Sequence, residues 1–179
     1  TPGLGLIDWW RFDEPSGVSA ADSSGNGHVA ALAGSGAKFK PDEGRFAGSV
    51  WFDGIVANSK TARVEIADTG MSNAAGTISF WTKLAEPQHR ADGRNGTAYF
   101  FSEQNGSTQN SRLNLKMSNS DTKLDAEIGS AVANDITVLS TAVWYHIAIV
   151  WDNGSYNIYL NGVSIASGTA TMVTFGLSA

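Results

Sequence analysis

WYHIAIVWDNGSYNIYLNGVSIAS, residues 144–167, contains two Asn-Gly pairs, Asn153-Gly154 and Asn161-Gly162. A two-residue type I′ turn needs positive φ at both central positions, which Asn and Gly adopt at little cost. Counting outward from the first turn pairs Trp151 with Tyr156, Ile149 with Ile158 and Ile147 with Leu160. The second turn pairs Leu160 with Val163 and Ile158 with Ile165. One apolar face therefore runs across three strands of an antiparallel meander, with no slip expected. The opposite face carries Trp144, His146, Ala148, Val150, Asn157, Tyr159 and Ser164. That mixture is neither a full core nor an ordinary solvated surface, and the expectation is that something is held there.

The 179 residues, with 42% hydrophobic and 16% charged side chains, suffice for one domain with a sizeable core. A formal net charge of -5 and the lack of any Lys/Arg cluster argue against nucleic acid and anionic membranes as partners. Cysteine is absent, which excludes a disulfide framework, a Cys-ligated zinc site and thiol catalysis. No apolar run approaches the roughly 20 residues of a membrane span, so no membrane insertion is expected.

Short strands and polar turns alternate along the rest of the chain. Residues 6–12, LIDWWRF, read as a first strand whose adjacent tryptophans face opposite sides. The stretch 22–28, DSSGNGH, is a glycine-rich loop. Further strands are read at 29–32, 44–53, 62–66, 77–83, from 99 to 103, at 112–117 and at 124–128. The strand at 77–83 alternates Ile78, Phe80 and Thr82 against Ser79, Trp81 and Lys83, and that at 112–117 alternates Leu113, Leu115 and Met117 against Arg112, Asn114 and Lys116. A helical period is nowhere sustained. The expected fold is an all-β, antiparallel two-sheet sandwich or barrel forming a single domain over residues 1–179.

Four segments, LIDWWRFDE with DSSGNGH after it, GSVWFDG, GTISFWTK and WYHIAIVWDNGSYNIYLNGV, resemble the laminin-G-like jelly rolls of the concanavalin A-like lectin/glucanase superfamily. The resemblance implies two packed antiparallel sheets in a jelly-roll sandwich and a carbohydrate- or protein-binding role. Relatives usually continue to a closing strand with an Asp-Glu pair and an aromatic beside the first strand, whereas here residues 169–179 read TATMVTFGLSA. The expectation is a domain lacking its closing C-terminal strand. An open edge beside residues 6–12 would invite pairing with another protein chain, unless residues 173–177, VTFGL, fold back on it.

Asp121, Asp125 and Glu127 share one strand face with Lys123, and carboxyls at i and i+2 can approach the spacing of a retaining glycosidase. Glucanases that the chain resembles carry an acid two residues before the position of Asp125, where this chain has Lys123. The motif is incomplete, so no catalytic residue is assigned, and a solvated face of mixed charge is expected. Asp22 and Asn26, with carbonyls freed by Gly25 and Gly27, suit calcium's preference for oxygen ligands. The resemblance favours calcium there, although the same residues also make an Asx turn without metal. His28 and His146 lack a second histidine at zinc-ligand spacing.

For sugar, Trp81, Trp144 and Tyr159 offer flat rings to stack on pyranose faces, and Arg112, Asn114 and His146 offer hydrogen bonds to hydroxyls. The same aromatics would also serve as packing under a long loop such as residues 86–96. The reading is a non-catalytic carbohydrate-binding, lectin-like module of a secreted or surface protein, with a polysaccharide or glycan as partner. Its alternatives are a structural or adhesion domain of an extracellular or virion assembly that binds protein, and a glycan-cleaving hydrolase or lyase.

Overall fold

Alternating apolar and polar side chains, cut by Gly-, Asn- and Ser-rich turns, produce thirteen β-strands and no helix among the described residues. The computed structural model describes residues 5–53, 62–67, 70–85, 97–104, 112–117 and 122–171. The chain divides into two compact units, Thr1–Thr69 and Gly70–Ala179.

In the first unit, β1 (Ser19–Ala20), β2 (Ala30–Ala33) and β5 (Arg63–Ile66) form an antiparallel sheet in the order β1-β2-β5, and β3 (Ala37–Lys40) pairs with β4 (Ser49–Phe52). Ala20, Ala30 and Phe39 are buried here, with Trp10, Phe12, Leu32, Val50 and Val64 packed against them. Residues 6–12 do not form the expected strand; their one bridge joins Trp10 to Asp22. The reason lies in the loop that follows. Ser24 Oγ donates to the Ile7 carbonyl, Asn26 Nδ2 to the carbonyls of Leu6 and Ile7, and the Ser23 N–H to the Trp9 carbonyl. Loop side chains and the Ser23 N–H thus satisfy backbone groups that a neighbouring strand would otherwise take. Trp10 is half-buried and donates its indole N–H to the His28 carbonyl at 2.7 Å, while Trp9 remains 50% exposed, so only one of the two rings is well covered.

The second unit is a two-sheet sandwich. One sheet runs β10 (Ala131–Val138), β9 (Lys123–Ile128), β8 (Arg112–Met117), β7 (Ala98–Gln104); the other runs β13 (Val163–Thr169), β12 (Ser155–Leu160), β11 (Trp144–Asp152), β6 (Ala75–Lys83). All pairings within both sheets are antiparallel. Leu113, Leu115, Met117, Leu124, Ala126 and Ile128 from the first sheet meet Ile147, Ile149, Trp151 and Ile158 from the second in one buried cluster. Each fully buried large side chain contributes roughly 1.5–3 kcal/mol relative to exposure.

The two Asn-Gly turns form as expected, with φ of 44° and 85° at Asn153-Gly154 and 50° and 83° at Asn161-Gly162. The pairs Trp151–Tyr156, Ile149–Ile158, Ile147–Leu160 and Leu160–Val163 are all present. The expected Ile158–Ile165 pair is not. Ile158 opposes Ala166, and Tyr159 opposes Ser164, which leaves Ile165 as the extra residue of a β-bulge. Such bulges favour edge strands, as β13 is. This one lets the adjacent Ile165 and Ala166 both pack against the core.

Candidate functional site

The outward face of the β6–β11–β12–β13 sheet gathers four of the sequence-predicted sugar residues. Register fixes their places. Trp81 on β6 lies directly opposite His146 on β11, and Lys83 opposes Trp144. The Trp81 and His146 rings have centroids 5.3 Å apart and planes inclined by 51°, within the range of favourable aromatic contact. The Lys83 ammonium sits 5.0 Å from the centre of the Trp144 ring, a cation–π distance. Tyr159 opposes Ala148, whose other neighbour is Ser79, so two small side chains separate Trp81 from Tyr159. Beside His146, the Asn161 side chain accepts the His146 N–H at 2.9 Å and the Asn161 N–H donates to the His146 carbonyl. Trp81 is 38% exposed, and Trp144, His146 and Tyr159 are half-buried.

Arg112 and Asn114 belong elsewhere. They lie on β8, opposite in parity to Leu113 and Leu115, and so on the outward face of the other sheet. Two sheets that share one core turn their second faces in opposite directions, so these residues and the Trp81 face cannot grip one sugar. Asn114 is only 2% exposed. It accepts from Ser102 Oγ at 2.8 Å and donates to Glu127 Oε2 at 2.8 Å. Lys116 donates to Glu127 Oε1, and Arg112 lies 3.7 Å from Oε2. Burial raises the Glu127 carboxyl, but the bonds from Lys116 and Asn114 and the charges of Lys116 and Arg112 outweigh it and hold it below its ordinary value. A shallow pocket beside it is lined by Arg112, Glu127, Gly129, Ser130 and Val132.

The carboxylate face of β9 is not the solvated surface expected. Asp125 is 3% exposed, because β10 bulges between Ala133 and Thr137 and brings the Asp135 N–H onto Asp125 Oδ1 at 2.8 Å. Lys123 pairs with Asp135 at 3.2 Å. Asp121 lies outside the described residues, as do His89 and residues 86–96 and 173–177.

In the first unit, Asp22, His28 and Asp8 bring one ligand atom each within 4.8 Å of one another. Asp8, which sequence reasoning did not single out, holds His28 Nδ1 at 2.7 Å. The Asp22 carboxylate accepts from the N–H groups of Trp9, Ser24, Gly27 and His28 and from the Ser24 hydroxyl. A carboxylate offers about four lone-pair sites, and five donors already converge on this one. Asn26 turns its amide nitrogen to the Leu6 and Ile7 carbonyls. Converging N–H groups suit an anion, and here Asp22 supplies that anion, so this donor set does not fit a calcium ion at Asp22 and Asn26. The Ser24 hydroxyl bond is the largest influence on the Asp22 carboxyl; with the N–H groups of Ser24, Trp9 and His28 it outweighs desolvation and holds the group well below the usual carboxylate range.

Comparison with known proteins agrees with this architecture. No curated protein sequence matches the chain. Among solved structures, residues 221–444 of an S-layer domain-containing protein from Clostridium thermocellum superpose with a TM-score of 0.50 and 21% identity, over 93% of this chain and 73% of that one. Domain 4 of AbnA, a GH43 extracellular arabinanase from Geobacillus stearothermophilus solved in complex with arabinotriose, gives a TM-score of 0.55 and 20% identity, over 83% of this chain and 69% of that one. At such identities the likeness is one of fold. The laminin-G-like family model described as the Concanavalin A-like lectin/glucanases superfamily matches residues 58–177, and the chain belongs to that superfamily.

Proposed function

We propose that this chain is a non-catalytic, extracellular carbohydrate-binding module whose site is the Trp81–His146–Trp144–Tyr159 face. The observation that carries the reading is the directly opposed Trp81–His146 pair, with Trp144 and Tyr159 on the same outward sheet face. Flat rings on a rigid sheet stack on the C–H faces of sugars, and the adjoining polar groups can bond hydroxyls. The arabinanase domain of similar fold is bound to arabinotriose, which makes short oligosaccharides the first probes.

A binding rather than a hydrolytic role is supported on the other sheet. Lys123 stands where a glucanase-like acid would be, Asp125 is buried, and Glu127 is engaged by Lys116 and Asn114. A general acid or base must reach the atom it protonates, and these groups are directed to their own neighbours.

The test is affinity electrophoresis and titration calorimetry of the chain against a panel of plant, bacterial and host glycans. Trp81→Ala is expected to weaken binding about tenfold, equivalent to about 1.4 kcal/mol, without loss of fold by circular dichroism. Retention of full affinity in Trp81→Ala and Tyr159→Ala would remove the site.

A second reading, a structural domain that binds protein in an extracellular assembly, draws on the exposed Val132, Val138 and Val163 and on the S-layer protein of similar fold. Concentration-dependent sedimentation, with no glycan retained, would favour it.

A further inference from the structure

The proposed sugar face has an uneven charge distribution. Among the described residues of the second unit, Arg112 and Lys116 sit on Glu127 and Lys123 sits on Asp135. Lys83 differs: it is exposed, and its ammonium rests over the Trp144 ring rather than beside a carboxylate. On the same face of β11 the nearest carboxylate in the strand is Asp152, opposite Ala75 at the far end of the β6 pairing. From residue 144 to residue 152 is about 26 Å at the strand rise, well beyond the screening distance of about 10 Å at 0.1 M salt. A protein of net charge -5 thus presents, at its most aromatic edge, a cation that no carboxylate among the described residues pairs with.

The ring contact fixes the ammonium at the border of the platform and consumes none of its N–H groups on a formal acceptor. A sugar stacked on Trp81 or Trp144 would have its ring substituents within reach of that ammonium. A hydroxyl gains one ordinary hydrogen bond there, whereas a carboxylate or sulfate gains a charge-assisted one.

Building on the glycan-binding reading above, we propose that this face selects anionic glycans, with Lys83 as the group that recognises the sugar's carboxylate or sulfate. The shared chemistry is a pyranose bearing an acidic substituent, and the test separates its two sources.

The experiment titrates the full chain with oligogalacturonate, its methyl-esterified form, a sulfated oligosaccharide, its desulfated form and neutral arabinotriose, at 50 and 500 mM NaCl. The methyl ester keeps the ring and removes the charge. Expected is about tenfold tighter binding of one acidic probe than of its uncharged counterpart, a preference that shrinks at high salt. Lys83→Gln should abolish that preference; Lys83→Arg should keep it. A preference for oligogalacturonate identifies the carboxylate as the source, and one for the sulfated probe identifies the sulfate. Equal affinity for charged and neutral probes in the wild type, or a preference surviving in Lys83→Gln, overturns the anionic selectivity while leaving a glycan site in place. Absence of binding to any probe by the folded wild type overturns both readings.

Discussion

Gly76 lies directly beneath the Trp151 ring. The two residues oppose each other across β6 and β11, and a Cβ added to Gly76 would come within 2.3 Å of Trp151 Cζ2. The ring has little freedom to retreat, since it is 1% exposed and its indole N–H donates to the Ser72 carbonyl at 2.9 Å. Gly76→Ala is therefore expected to destabilise the protein by about 1–3 kcal/mol through overpacking. Urea unfolding followed by Trp fluorescence measures this; a midpoint equal to wild type would mean that the sheet shifts freely at this pair.

Large-to-small changes in the same core should cost more. Ile149 and Ile158 oppose each other at full burial, and truncating either to Ala removes transfer energy and leaves a cavity, about 2–5 kcal/mol in all. Ile165→Ala, on the bulge and only partly buried, should cost clearly less. Equal losses at Ile158 and Ile165 would show that the bulge residue is as deeply packed as the row it interrupts.

The meander was legible because its turns and its two-residue period point to one answer: Asn153-Gly154 and Asn161-Gly162 set a register that the apolar row independently supports. The slip at Ile165 was not, because a bulge on an edge strand is decided by how two adjacent apolar residues best reach the core. β10 escaped notice for a related reason. Asn134-Asp135 within its sequence reads as a turn, and in the structure it forms the bulge, with Asp135 at φ 53°. Residues 6–12 have strand-like composition, yet their partners are side chains of the loop at 22–28, and side-chain capping leaves no periodic signal.

The candidate site was legible in part. Period two placed Trp144, His146 and Tyr159 on one face, and the Thr77 to Lys83 alternation placed Trp81 and Lys83 together. What the sequence could not supply was the pairing of β6 with β11, a contact between segments far apart in the chain, and with it the seat of Lys83 on Trp144. Nor could alternation alone show that Arg112 and Asn114 lie on the outward face of the other sheet, the one that holds β8.

Glu127 joins Asn114, Lys116 and Arg112 into one network, so its loss should be felt through its partners. Glu127→Gln removes the carboxylate that holds the Lys116 ammonium, whose side chain is 17% exposed, and should cost about 1–3 kcal/mol at pH 7. In a double-mutant cycle with Lys116→Met the two changes should be non-additive by more than about 0.5 kcal/mol. Strict additivity would show that the pair acts as two independent surface charges.

Asp22 is the anion that ties the loop of residues 22–28 to residues 6–10, and its charge sets an acid limit on the first unit. In an unfolded chain an aspartate titrates near about 3.9. In the folded protein the Ser24 hydroxyl and then the N–H groups of Ser24, Trp9 and His28 outweigh desolvation and depress it well below that. Between the two values the unfolded chain binds more protons, so stability rises with pH. The stabilisation is complete above the unfolded value and is lost as pH falls from about 4 toward the folded one. Asp22→Asn should lower the melting temperature at pH 7, since the amide turns a donor toward donors, and should lose less on acidification than wild type. Because the Asp22 oxygens are already filled by five donors, calcium after EDTA should leave the wild-type melting temperature unchanged. Thermal melts from pH 7 to pH 3, with and without calcium, check both points. Parallel acid profiles for wild type and variant would refute the role of the charge, and a calcium-dependent rise present only in wild type would assign the carboxylate to a metal.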